Sequence, residues 1–159
     1  MPPTGMTKPI PMLRCGKTAQ TAISAMSLLA ERFDAGKTRL SSEDVAKNRH
    51  LPQPLVAKVL TMLSTAGLVN GTRGPGGGYW LAVPPGEITL ADITERFERE
   101  FSGILCPFGP GWCGNNEPCP LHNDLVEINQ RWDDYLRKTT LAVFRPKPDL
   151  LTPAMTSSG

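Results

Sequence analysis

Apolar residues recur at three- and four-residue steps from Thr18 onward. Ala22, Met26, Leu29, Ala30 and Phe33 mark a helix with one buried face, closed at Asp34-Ala35-Gly36. A second helix opens at Ser41-Ser42-Glu43-Asp44, where a serine caps and acids occupy the first turn, and His50-Leu51-Pro52 stops it. Pro54 fits the first turn of a third helix, with Gln53 beside its cap. Leu55, Val59, Leu60 and Leu63 form the expected buried stripe, and Gly67 ends it.

The period then changes. Leu68-Val69 and Tyr79-Trp80-Leu81-Ala82 flank a glycine-rich stretch over 70–78, which predicts a β-hairpin. After the connector Pro84-Pro85-Gly86, Thr89 caps a fourth helix over about 90–100, with Asp92 placed for a capping box. Residues 102–120 contain four glycines, four prolines and three cysteines, with Glu117 as the single charge. A long helix over about 121–143 carries Leu121, Leu125, Ile128, Trp132 and Leu136 on one stripe. The expected division is a loose arm at 1–17, a first domain at 18–86, a second segment at 87–144 and a disordered tail at 145–159. The fold class is mainly α with a small hairpin.

Composition narrows the function. The 40% hydrophobic content supports one modest core. No run approaches the ~18 apolar residues of a membrane span, and the proline-bearing start does not resemble a secretory signal, so a cytoplasmic location is expected. The net charge of +2 conceals an asymmetry: residues 1–85 hold 10 Lys/Arg against 4 Asp/Glu, and residues 86–159 hold 7 against 11. The first half suits a polyanion and the second repels one. His50 and His122 are the two histidines, and neither sits in an evident nucleophile or acid–base arrangement. An enzyme is not expected.

Three helices followed by a hairpin describe a winged helix-turn-helix, whose third helix enters the major groove of double-stranded DNA. Its first residues here are Gln53, Pro54, Leu55, Ala57 and Lys58. Gln53 offers a bidentate pair to adenine, and Lys58 reaches a guanine edge or a phosphate. The run Arg73-Gly74-Pro75-Gly76-Gly77-Gly78 provides a thin wing with an arginine at its base, suited to a narrow minor groove. A phosphate-cradling loop is excluded, because Gly78 leads into Tyr79-Trp80-Leu81 and no Lys-Ser/Thr follows. With Ser42 from helix two and Tyr79 after the wing, these residues form the candidate DNA-contacting set.

The run from Leu63 to Tyr79, then Leu81-Ala82 and Ile88 to Asp92, resembles the IscR/NsrR family of bacterial transcription regulators, with likeness from about Thr18 to Phe144. The resemblance implies a DNA-binding homodimer joined through its long C-terminal helix and reading a palindromic operator. It places the family's wing arginine on Arg73 and its recognition-helix proline on Pro54. Members often carry an acid where this chain has Ala57, so their DNA sequence preference does not transfer.

The cysteines are spaced Cys106-x6-Cys113-x5-Cys119, with His122 three residues later. Thiolates on a Gly/Pro-rich loop suit an iron–sulfur cluster. Zinc in a Cys3His set and redox thiols that close a disulfide are the alternatives, as is a cluster-free adaptor. The resemblance implies a cluster on Cys106, Cys113 and Cys119, with His122 as fourth ligand and two irons rather than four. Where other members supply an acidic ligand from the partner's first helix, this chain has Gln20. Cys15 lies outside the set.

Overall fold

The computed structural model describes residues 16–97 and 120–146. Within them the chain is mostly helical with one small antiparallel hairpin, as the hydrophobic periodicity predicts. The first helix, α1 (Lys17–Glu31), lies at the centre. Sequence periodicity gives it one buried face, yet ten of its residues are buried. Ala19, Ala22, Ala25 and Ala30 allow close approach on several sides, while Met26, Leu28 and Leu29 fill the core. Its two buried hydroxyls turn back on the helix: Thr21 donates to the Lys17 carbonyl at 2.8 Å, and Ser27 to the Ser24 carbonyl at 2.7 Å.

Helix α2 (Ser42–Arg49) starts on a closed capping box. Asp44 N–H donates to Ser41 Oγ at 3.1 Å, and Ser41 N–H donates to Asp44 Oδ2 at 2.9 Å. The Ser41 hydroxyl, and then its backbone N–H, hold the Asp44 carboxyl below the usual carboxylate range. A depressed folded-state pKa stabilises the fold above that range, and the contribution disappears as pH falls through it. Ser41→Ala is therefore expected to cost ~1 kcal/mol near neutrality, and progressively less in acid. Urea unfolding at both pH values checks this; an equal loss at each would contradict it. At the far end Arg49 ties α2 to α1, pairing with Glu31 at 2.6 Å and reaching Ser27 Oγ at 3.2 Å.

Helix α3 (Gln53–Thr65) buries Val56, Val59, Leu60 and Leu63. Val56 takes the place that the expected stripe gave to Leu55, which is only half-buried. The helix ends in a Schellman motif around Gly67, at φ +79°. Leu68 N–H donates to the Leu63 carbonyl, and Gly67 N–H to that of Ser64, both at 3.0 Å.

The hairpin consists of β1 (Val69–Thr72) and β2 (Gly78–Leu81), with Val69 opposite Leu81 and Thr72 opposite Gly78. Leu40 adds a one-residue third strand that the sequence pattern does not signal. Its N–H donates to the Tyr79 carbonyl at 3.0 Å, and its carbonyl accepts from Tyr79 N–H at 2.8 Å.

Thr89 and Asp92 close a second capping box at the start of α4 (Leu90–Thr94). Among the described residues α4 is shorter than the expected 90–100: Glu95–Phe97 form a turn, and 98–100 lie outside the description. Helix α5 (His122–Lys138) stops five residues before the expected end. Thr139 and Thr140 become extended there and pair with the segment before α4. Leu90 N–H donates to the Thr139 carbonyl, and Leu141 N–H to that of Ile88, both at 2.9 Å. Leu136 and Leu141 thereby enter the same core as Met26 and Leu60. Arg145 follows and caps α1, donating to the carbonyls of Ala30 at 3.3 Å and Phe33 at 2.5 Å.

Candidate nucleic-acid interface

Three residues join α2 to α3. His50 takes the left-handed conformation at φ +53°, and Leu51 N–H closes back on the Ala46 carbonyl at 2.9 Å. Pro52 then stands at the N-cap, with Gln53 and Pro54 as the first two helical residues. No side chain caps this end of α3. Val56, Val59, Leu60 and Leu63 anchor one face, which leaves Gln53, Pro54 and Lys58 exposed on the outer side. Leu55 packs partly against the core, so it has less surface to offer. Ser42 is the half-buried first residue of α2. Beside it Lys47 pairs with Glu43 at 2.7 Å, an exposed i,i+4 bridge of little energetic weight.

The wing is built as the glycine pattern predicts. Gly77 N–H bonds the Gly74 carbonyl at 2.9 Å, making a four-residue turn with Pro75 second and Gly76 third. Gly76 adopts φ +75°, the conformation that a type II turn demands at its third position. Arg73, Gly74, Pro75 and Gly76 are exposed, and Gly77 is half-buried. Gly78 is buried at φ +150°; a Cβ there would stand 2.9–3.0 Å from the backbone of Leu40. Gly78 and half-buried Tyr79 therefore shape the root of the wing rather than its outer surface.

One basic residue absent from the sequence-derived set stands at this root. Arg39 is exposed; its guanidinium lies 4.6 Å from the centroid of the Trp80 ring and donates to Thr72 Oγ1 at 3.3 Å. No sequence signal marks it, because a strand one residue long has no alternating pattern to reveal its neighbours.

The cysteine loop, with Cys106, Cys113 and Cys119, lies outside the described residues, as does Cys15. His122 is the half-buried first residue of α5, and Gln20 is exposed on the first turn of α1. Among the described residues no group of three His, Cys, Asp or Glu side chains is placed to hold a metal ion. No described helix is long and apolar enough to cross a membrane.

Known proteins match this arrangement over most of the chain. The family model Rrf2, described as iron-dependent transcriptional regulator, matches residues 16–145. A protein of Aquifex aeolicus described as "Putative HTH-type transcriptional regulator" is 32% identical over 126 residues, covering 78% of this chain and 85% of that protein. The regulator IscR of Citrobacter koseri is 26% identical over 129 residues, covering 81% and 77%. Among solved structures, CymR, the global cysteine regulator of B. subtilis, superposes with a TM-score of 0.67 at 26% identity, covering 84% of this chain and 98% of CymR. IscR of T. potens superposes with a TM-score of 0.62 at 26% identity, covering 82% and 85%. With a helix-turn-helix, a glycine wing and this likeness along its length, the chain belongs to the Rrf2 family of DNA-binding transcriptional regulators, a family of regulators and not of enzymes.

Proposed function

We propose that the protein is a cytoplasmic, homodimeric regulator whose affinity for a palindromic operator is switched by an iron–sulfur cluster on Cys106, Cys113, Cys119 and His122. The observation that carries the DNA-binding part is the exposed wing. Arg73 and a type II turn of glycines stand clear of the core, while α3 leaves Gln53, Pro54 and Lys58 uncovered. Gln53 and Lys58 then read the major groove and Arg73 the minor groove, with Gly74, Pro75, Gly76 and Gly77 thin enough to follow it. Ser42, Leu55, Gly78 and Tyr79 support these contacts from α2, α3 and β2.

The donor set fits a cluster. Three thiolates and one imidazole come from a short Gly/Pro-rich segment, and His122 is fixed by the start of α5. The likeness to IscR supports a cluster, and His122 as fourth ligand favours two irons over four. Such a group supplies a redox-sensitive crosslink among its ligands. Cys106, Cys113, Cys119 and His122 would hold it, and would constrain the 102–122 segment only while they remained ligands. That segment joins α4 to α5, so releasing it changes how the start of α5 is held.

Helix α5 supports the dimer. Leu121, Ile128 and Tyr135 are exposed, Leu125 and Trp132 are half-buried, and the rings of Trp132 and Tyr135 stack at 5.6 Å. A two-fold partner buries such a stripe and sets two recognition helices about 34 Å apart, one DNA turn.

The test is anaerobic purification, an iron and sulfide assay, and operator titration before and after cluster removal. The expected result is stoichiometric iron and sulfide, lost in Cys113→Ser. The expected difference in affinity is ~3 kcal/mol, about a hundredfold. Iron-free protein with intact thiols and a thiol-dependent affinity would favour a redox-thiol switch.

A further inference from the structure

We infer that Arg39 is a phosphate-binding residue, held ready at the root of the wing so that it and Arg73 grip the DNA backbone and groove together. This rests on the DNA-binding reading above and adds a contact that the recognition helix and wing loop do not include.

Three observations converge on Arg39. The first is position. Leu40, the next residue, is locked to Tyr79 by two backbone hydrogen bonds, and Ser41 after it caps α2. Arg39 therefore emerges between the wing and the helix-turn-helix, with little backbone freedom. The second is preorganisation. Stacking on Trp80 at 4.6 Å and donation to Thr72 Oγ1 at 3.3 Å hold the guanidinium beside the residue that precedes Arg73. Gly36, at φ +90°, makes room for that indole: a Cβ there would stand 3.0 Å from Trp80 Nε1. A side chain already ordered loses less entropy when it binds.

The third is charge. Among the described residues no carboxylate lies within ion-pairing distance of Arg39. The acids nearest in sequence are committed elsewhere. Asp34 accepts from Thr38 N–H at 2.7 Å and from the Thr38 hydroxyl, Asp44 belongs to the Ser41 capping box, and Glu43 pairs with Lys47. An arginine held only to stabilise the fold would gain by a carboxylate partner. This one is positioned by an aromatic face and a neutral hydroxyl, which leaves its full charge and further N–H donors for an incoming anion. Phosphate of duplex DNA is the anion that the adjoining wing and α3 bring to this place.

Phosphate contacts are independent of sequence, so mixed-sequence duplex DNA of about three turns is a sufficient probe. Arg39→Met keeps an apolar side chain against Trp80 without charge, and Arg39→Lys keeps charge without the planar donor set. Full-length wild type, both variants and Arg73→Ala are titrated across a salt series, with thermal unfolding run in parallel. Arg39→Met is expected to unfold near the wild-type temperature and to lower the slope of log affinity against log salt by about 0.9 per protomer. The wild-type advantage over Arg39→Met then shrinks about 3.5-fold per protomer, or about twelvefold for a dimer, between about 50 and about 200 mM salt. Arg39→Lys retains the wild-type slope. An unchanged slope in Arg39→Met while Arg73→Ala loses affinity overturns the role of Arg39 alone. Wild-type protein that fails to bind the duplex even at about 50 mM salt overturns the DNA-binding reading beneath it.

Discussion

Gly78→Ala is expected to lower the unfolding temperature clearly and to weaken duplex binding about tenfold or more. The residue is buried at φ +150°, a region left almost entirely to glycine, and forcing an L side chain into it costs about 1–3 kcal/mol. The added methyl also meets the nitrogen, carbonyl carbon and oxygen of Leu40 at 2.9–3.0 Å, and backbone yields less readily than a side chain. Relief requires Leu40 to leave Tyr79, which frees Arg39 and tilts the wing away from α3. Gly74→Ala provides the control. Its φ is +91°, but nothing lies within 4 Å of the new methyl, so only conformational strain is added. Thermal unfolding and duplex titration of both variants separate strain from collision. Equal effects at the two positions would mean that the closeness of Leu40 has no functional weight.

Leu141→Ala should destabilise the whole molecule by ~2–5 kcal/mol, the usual cost of emptying a closed core site. Leu141 is fully buried and its N–H bonds the Ile88 carbonyl, so truncation leaves a space closed to solvent. The more telling readout is where the loss is felt. Leu141, Ile88, Ile93 and Leu136 share one cluster with Met26 and Leu60. Amide exchange in α1 is therefore expected to quicken at least about thirtyfold although the substitution lies more than a hundred residues away in sequence. Protection of α1 left as in wild type would show that the segment after α5 is a separate folding unit.

Signals that are local in sequence were legible. Ser41 with Asp44 and Thr89 with Asp92 announce their capping boxes three residues apart, Gly67 announces a helix stop, and the run 73–78 announces a wing. Features decided by distant partners were not. The expected α3 stripe contained Leu55 and omitted Val56, since two adjacent apolar residues fit a 3.6-residue period almost equally well and tertiary packing selects between them. The early end of α5 depends on Thr139 and Thr140 finding a partner in residues 88–90, fifty positions away. The Leu40 bridge and the Arg39–Trp80 stack likewise exist only once the wing has folded back. The candidate site divides the same way: its glycine turn could be read from spacing, whereas the placement of Arg39 is set by neighbours distant in sequence.

Arg145 clamps the end of α1 from beyond α5, and Leu141 seals the core just before it. Synthesis proceeds from the N-terminus, so every residue proposed to face DNA emerges from the ribosome well before these two. A nascent polypeptide then exposes a recognition helix whose supporting helix still lacks its lid. The helix that supports the proposed recognition helix is therefore completed only when residues 141–145 have been made and have folded back onto it.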